Sequence, residues 1–171
     1  TRYWRWPTWA DALGRSYKEF QNWGVCGGGN SLILYSLVEC IQRNQITAAD
    51  DVYIMWTNTS REDRYVGTSW QAAGNVYWTD GNPLPSEYVR KFACERGYLI
   101  RDLANISACK QILDSIGCTY RFFSMVPFTI TNDDASLAAN PYDEVSDNTD
   151  VTELYKNILD QIEPSVFETV F

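Results

Sequence analysis

The sequence predicts an α/β fold in which a parallel sheet carries helices on both faces, and three observations lead there. Segments of strand and helix character alternate along the 171 residues, the order that builds parallel sheets. Val52-Tyr-Ile-Met-Trp56 is a continuous apolar run, the pattern of a strand covered on both faces. The composition, 45% apolar, 15% aromatic and 21% charged, is that of a folded chain whose length suits one domain over residues 1–171.

Pro7 can occupy a first helical turn, so a short helix is predicted from Pro7 to Leu13, stopped by Gly14. Tyr17 to Trp23 reads as a strand that enters the loop Gly24-Val-Cys-Gly-Gly-Gly-Asn30. From Ser31 to Arg43 the apolar Ile33, Leu34, Leu37, Val38 and Ile41 recur at three and four, giving an amphipathic helix that Asn30 could cap. The apolar strand follows and ends at Thr57-Asn58. Glu62 to Pro85 shows no period and reads as a long surface excursion. Helical spacing returns from Ser86 to Ile116, as one long kinked helix or two, interrupted around Gly97. Tyr120 to Met125 is a further strand, ended by Pro127. Residues 129–150 read as acidic loop, and a last helix spans Val151 to Ile162 and stops at Pro164.

Charge and side-chain inventory narrow the chemistry. The net charge of −8 comes from 14 bases and 22 acids, which opposes binding to phosphate backbones, so nucleic acid is not an expected partner. The excess is local: residues 131–171 hold ten acids and one base, Lys156. Histidine is absent, so no Ser-His-Asp or Cys-His machinery can be built wholly from these residues. Five cysteines, without C-x-x-C spacing, indicate reduced and mostly buried thiols and no metal site. No apolar run is long enough for a membrane span, so a soluble chain without a membrane partner is expected, cytoplasmic or virion-associated. The chain opens at Thr1-Arg-Tyr-Trp-Arg-Trp-Pro7 without methionine and closes on an apolar end at Phe171. Truncation at both ends explains this, as would removal of an initiator methionine or a docked tail.

In parallel sheets ligands bind beyond the carboxyl ends of the strands. The glycine loop lies before a helix start, where backbone amides and the helix dipole favour an anion or oxyanion; a tight turn is the plainer reading. Asn58, after the apolar strand, either donates its amide to an oxyanion or closes a turn on its own backbone. Cys26 is a packing residue or, less simply, a nucleophile without a base. Arg61, in the charged run Arg61-Glu-Asp-Arg64, either is solvated or grips an anionic or carbonyl group of a substrate. The aromatics near the N-terminus and in residues 65–78 make a sugar-stacking platform or a cover for the sheet or a partner.

Together these loops resemble the SGNH, or GDSL-type, hydrolases. Asn22-Trp-Gly-Val-Cys-Gly27 is similar to the family's second block, and Trp56-Thr57-Asn58-Thr59 stands where its third block, Gly-x-Asn-Asp, would be. Trp56 replaces the glycine and Thr59 the aspartate. The run Trp56-Thr57-x-x-x-Arg61 looks similar to a divergent branch frequent in marine phages and bacteria.

The resemblance covers about residues 7–125 and implies a three-layer, flavodoxin-like sheet. It also implies an oxyanion hole completed by the Gly27 amide and the Asn58 side chain, with Asn30 and Arg61 as substrate-binding side chains and no cofactor. The family's Gly-Asp-Ser block would precede Thr1 and its Asp-x-x-His block would follow Phe171, so the nucleophile and base are not in this chain, which alone is expected to be inactive.

The implied substrate is a small acyl ester, such as an acetyl group on a glycan. The alternative is a non-catalytic module of the same fold, a phage virion component or glycan binder, with virion or homo-oligomer partners. An anion-binding, flavodoxin-like domain using the glycine loop is a third reading.

Overall fold

The computed structural model describes residues 7–77, 84–128 and 148–166. The extreme N-terminal aromatics, the acidic stretch 129–147 and the apolar C-terminal end from residue 167 lie outside them.

Helix α1, Trp9–Gly14, is fixed by a reciprocal capping box in which Thr8 Oγ1 accepts from Asp11 N and the Asp11 carboxylate accepts from Thr8 N. Residues 17–23 then form no strand, contrary to the expectation. Their polar side chains bond locally and to α2: Gly24 N donates to Asn22 Oδ1, Trp23 Nε1 to Gln21 Oε1, and Gln21 Nε2 to Asn44 Oδ1. Such local bonds compete with a ladder.

Helix α2, Asn30–Asn44, follows the glycine loop. Its N-cap is Gly29, and Asn30 lies inside the helix with its side chain turned to the interior, which corrects the expected Asn30 cap. Strand β1, Asp51–Trp56, comes next. The residues read as a surface excursion instead make an antiparallel hairpin, β2 Arg61–Val66 and β3 Ser69–Asn75, turning at Gly67-Thr68; residues 78–83 of that stretch lie outside the described ones.

The long helical region divides into α3, Ser86–Phe92, and α4, Glu95–Ile116. The break falls at Ala93-Cys94 and not around Gly97, because the Cys94 sulfur caps α4 by accepting from Gly97 N. After β4, Thr119–Ser124, the final helix is two short ones, α5 Thr149–Leu154 and α6 Lys156–Ile162, separated at Tyr155.

Strands β1 and β4 pair in parallel, with Ile54 opposite Phe122 and Trp56 opposite Ser124. Residues on one face, Ile54, Trp56 and Phe122, enter the main core with Leu99, Leu103, Ile106 and Leu113 of α4 and Ile158, Leu159 and Ile162 of α6. Trp56, Leu103 and Ile106 are fully buried, each stabilising by roughly 1.5–3 kcal/mol through removal from water. On the other face Tyr53 meets Tyr17, hydroxyl to hydroxyl at 2.7 Å, and Phe123 meets Trp9 edge to face. The architecture is thus α/β, with a small parallel sheet flanked by helices, and the hairpin forms a second, separate sheet.

Candidate functional site

The carboxyl end of β1 is where the two loops singled out by sequence meet. Asn30 is fully buried, and its carboxamide pairs with both polar groups of the Thr57 main chain: Thr57 N donates to Oδ1 at 2.9 Å and Nδ2 donates to Thr57 O at 3.0 Å. A side chain thereby does what a neighbouring strand would do, and it ties the start of α2 to the tip of β1.

The same Nδ2 donates to Asp102 Oδ2 of α4 at 2.8 Å, and Arg101 Nε donates to Asp102 Oδ1 at 2.7 Å. Arg101 reaches on to Glu62 Oε2 at 3.0 Å and to the carbonyls of Thr59 and Arg61, with its guanidinium 4.6 Å from the Tyr98 ring centre. Burial pushes the Asp102 carboxyl up to about 6, against the opposing pull of Arg101 and Asn30.

The start of α2 does not await an outside anion. Asp63 of β2 accepts from Gly29 N at 2.9 Å and from Leu32 N at 3.0 Å, filling the place that dipole and amides prepare. Gly29 is required there, because a β-carbon would lie 2.8 Å from Asp63 Oδ2 and 2.9 Å from Arg61 Cβ. Arg61, expected on a substrate, donates through Nη1 to Gly28 O at 3.1 Å. Burial lowers its pKa, opposed by Asp63.

Gly27 has φ +79°, a conformation that favours glycine, and an added β-carbon would sit 3.8 Å from Ala72 of β3. Asn58 closes a turn, its Oδ1 accepting from Ser60 N at 2.7 Å. No hydrogen bond joins Gly27 to Asn58. The amides around Gly27 are used: Gly28 N on Val25 O, Gly29 N and Leu32 N on Asp63. Among the described residues neither Gly27 N nor Asn58 Nδ2 donates a hydrogen bond.

Buried groups without a partner among the described residues also gather here, namely Trp56 Nε1, Thr57 Oγ1 and Arg61 Nε. Cys26 is an exposed, unpaired thiol on the same loop.

Of the four candidate residues, then, Asn30 and Arg61 are engaged within the protein, while Gly27 and Asn58 retain donors. Sequence reasoning missed Asp102, Arg101, Glu62 and Asp63 as organisers of this region. Asp102 had left a signal, an acid three residues after Leu99 on the buried stripe of α4.

Among the described residues no cluster of three or more Cys, Asp or Glu is placed to hold a metal ion, and no helix is long and apolar enough to cross a membrane. Comparison with protein-family models, with curated proteins and with solved structures finds no match for this chain.

Proposed function

We propose that this chain supplies the oxyanion-binding part of an SGNH-like hydrolase that cleaves an acyl ester, with the three-layer, flavodoxin-like sheet of that family. One observation carries the reading. Just past the carboxyl end of β1 Asn58 Nδ2 keeps its donor unspent, and so does Gly27 N in the glycine loop that Asn30 ties to that strand tip, while the neighbouring amides are consumed inside the fold.

The turn around Asn58 supports the role and does not compete with it. Engaging Oδ1 on Ser60 N orients the carboxamide and leaves Nδ2 as its donor. Donors held in place before reaction are what tetrahedral oxyanions require. In this reading a serine attacks the ester carbonyl and a histidine takes its proton, both from sequence flanking residues 1–171, while Gly27 and Asn58 hold the developing O⁻. The test is hydrolysis of a soluble acetyl ester by the protein including those flanks, in which Asn58→Asp, keeping the turn acceptor but replacing the donor with a carboxylate oxygen, lowers turnover about 10²–10³-fold.

A second reading, a non-catalytic phage virion or glycan-binding module, is favoured by Asp63, which already occupies the anion place at α2. It predicts no ester turnover with the flanks present and no dependence on Asn58.

A further inference from the structure

Tyr35 of α2 stacks on Trp70 of β3, ring centres 5.1 Å apart and 24° from parallel, and Tyr65 of β2 meets Trp70 edge to face at 5.5 Å. All three remain open to solvent, at 47%, 37% and 60% exposure for Tyr35, Trp70 and Tyr65. Two features distinguish this group from an ordinary apolar patch.

First, its polar tips are unspent: among the described residues the two phenol hydroxyls and the Trp70 indole N–H make no hydrogen bond. Ring faces stand beside available donors and acceptors. Second, the group continues the proposed site. Tyr65 pairs with Trp70 and Asp63 pairs with Ala72 in the hairpin register, so these four side chains share one hairpin face. Ala72 is the residue that Gly27 approaches and Asp63 the one that grips Gly29. Along that face the rings lie two residues, roughly 7 Å, from the Asp63–Ala72 pair that meets the glycine loop.

We infer that Tyr35, Tyr65 and Trp70 form a subsite for a neutral carbohydrate, the glycan part of the substrate whose ester would be cleaved at Gly27 and Asn58. A pyranose offers an apolar C–H face to a ring and hydroxyls to its tips, which matches this mixed surface. A lipid would leave the phenols and indole unpaired. The inference deepens the hydrolase reading and takes its substrate class from it.

The experiment is calorimetric binding of cellohexaose and maltohexaose to the intact protein, with heparin as the polyanionic comparison. Saturable binding of a neutral hexasaccharide is expected, weakened about tenfold or more by Trp70→Ala and by Tyr65→Ala. Tyr65 is the most exposed of the three, so its variant decides the matter if Trp70→Ala unfolds the hairpin.

Failure of both hexasaccharides to bind, binding that survives Tyr65→Ala, or binding of heparin alone overturns the subsite. So does self-association abolished by Tyr65→Ala, which would assign the rings to a second copy of the chain. Hydrolysis of a small acetyl ester retained in Tyr65→Ala keeps the two proposals separable, because the oxyanion donors do not need the rings.

Discussion

Gly29 heads α2 without a capping side chain because Asp63 brings a carboxylate to the same amides from another element. Serine is ordinarily the better N-cap, yet Gly29→Ser is expected to destabilise here, since its β-carbon collides with Asp63 and Arg61. Asp63→Ala should cost about 1–2 kcal/mol as a lost cap. The double variant should recover part of the summed loss in urea titrations, the serine then capping an emptied site.

Asp102 sets the pH dependence. Its folded-state pKa, about 6 against an ordinary 3.8, means the fold prefers the protonated acid. Its contribution is therefore present in full below about pH 4 and is lost as pH rises through about 6. Acidification from neutral pH to about pH 4 should add on the order of 3 kcal/mol from this group. The groups facing it do not reverse that sign: Arg101 and Asn30 lower the value and Asp63 raises it. Exposed Asp11, Asp114 and Asp150, held low by Thr8, Lys110 and Arg96, act in the opposite sense but only as pH falls below about 4. Urea midpoints measured across this range should rise on acidification in the wild type and stay level in Asp102→Asn.

At the scale of elements, α2, β1 and α4 were legible because each carries its own signal, apolar residues at three and four or an unbroken apolar run, and β4 through the aromatic Tyr120, Phe122 and Phe123. The strand expected over residues 17–23 lacked a partner to pair with, and a local extended pattern cannot supply one. The hairpin was hidden for the converse reason. Four of the six residues of β2 are charged, and what makes them tolerable in a strand comes from distant positions. Arg101 and Arg64 neutralise Glu62, and the α2 amides take Asp63.

The Gly67-Thr68 pair between Tyr65-Val66 and Ser69-Trp70 was the hairpin signal passed over. The site divides in the same way. Asn58 was visible as the loop after β1 and Gly27 only as a glycine turn, because the strand expected before it does not form, whereas the roles of Asn30 and Arg61 depend on Thr57 and Gly28, which only folding brings near.

Arg101 is the side chain by which α4 holds the hairpin's first strand. Arg101→Met should cost about 3 kcal/mol, because Asp102 is left buried beside an apolar group. Hydrogen exchange should quicken selectively over residues 59–66, while β1 and α4 retain their protection.

Across the whole molecule, helices α2 and α4 link the parallel pair β1–β4 to the separate hairpin near the tip of β1, where Asn30 of α2 bonds Thr57, Asp63 of β2 bonds the start of α2, and Arg101 of α4 bonds the Arg61 carbonyl. The main core of β1, α4 and α6 gives that tip a rigid base, and rigidity is what the two proposed oxyanion donors would need to act on a transition state. The central claim is that Asn58 Nδ2 is one of them. The most direct measurement pairs kinetics with thermal melts on Asn58→Asp in the protein carrying its flanking sequence. If the donor acts in the transition state, kcat for a soluble acetyl ester falls about 10²–10³-fold with KM little changed, while Tm holds because the carboxylate still accepts from Ser60 N. Turnover equal to wild type in that variant would contradict the account.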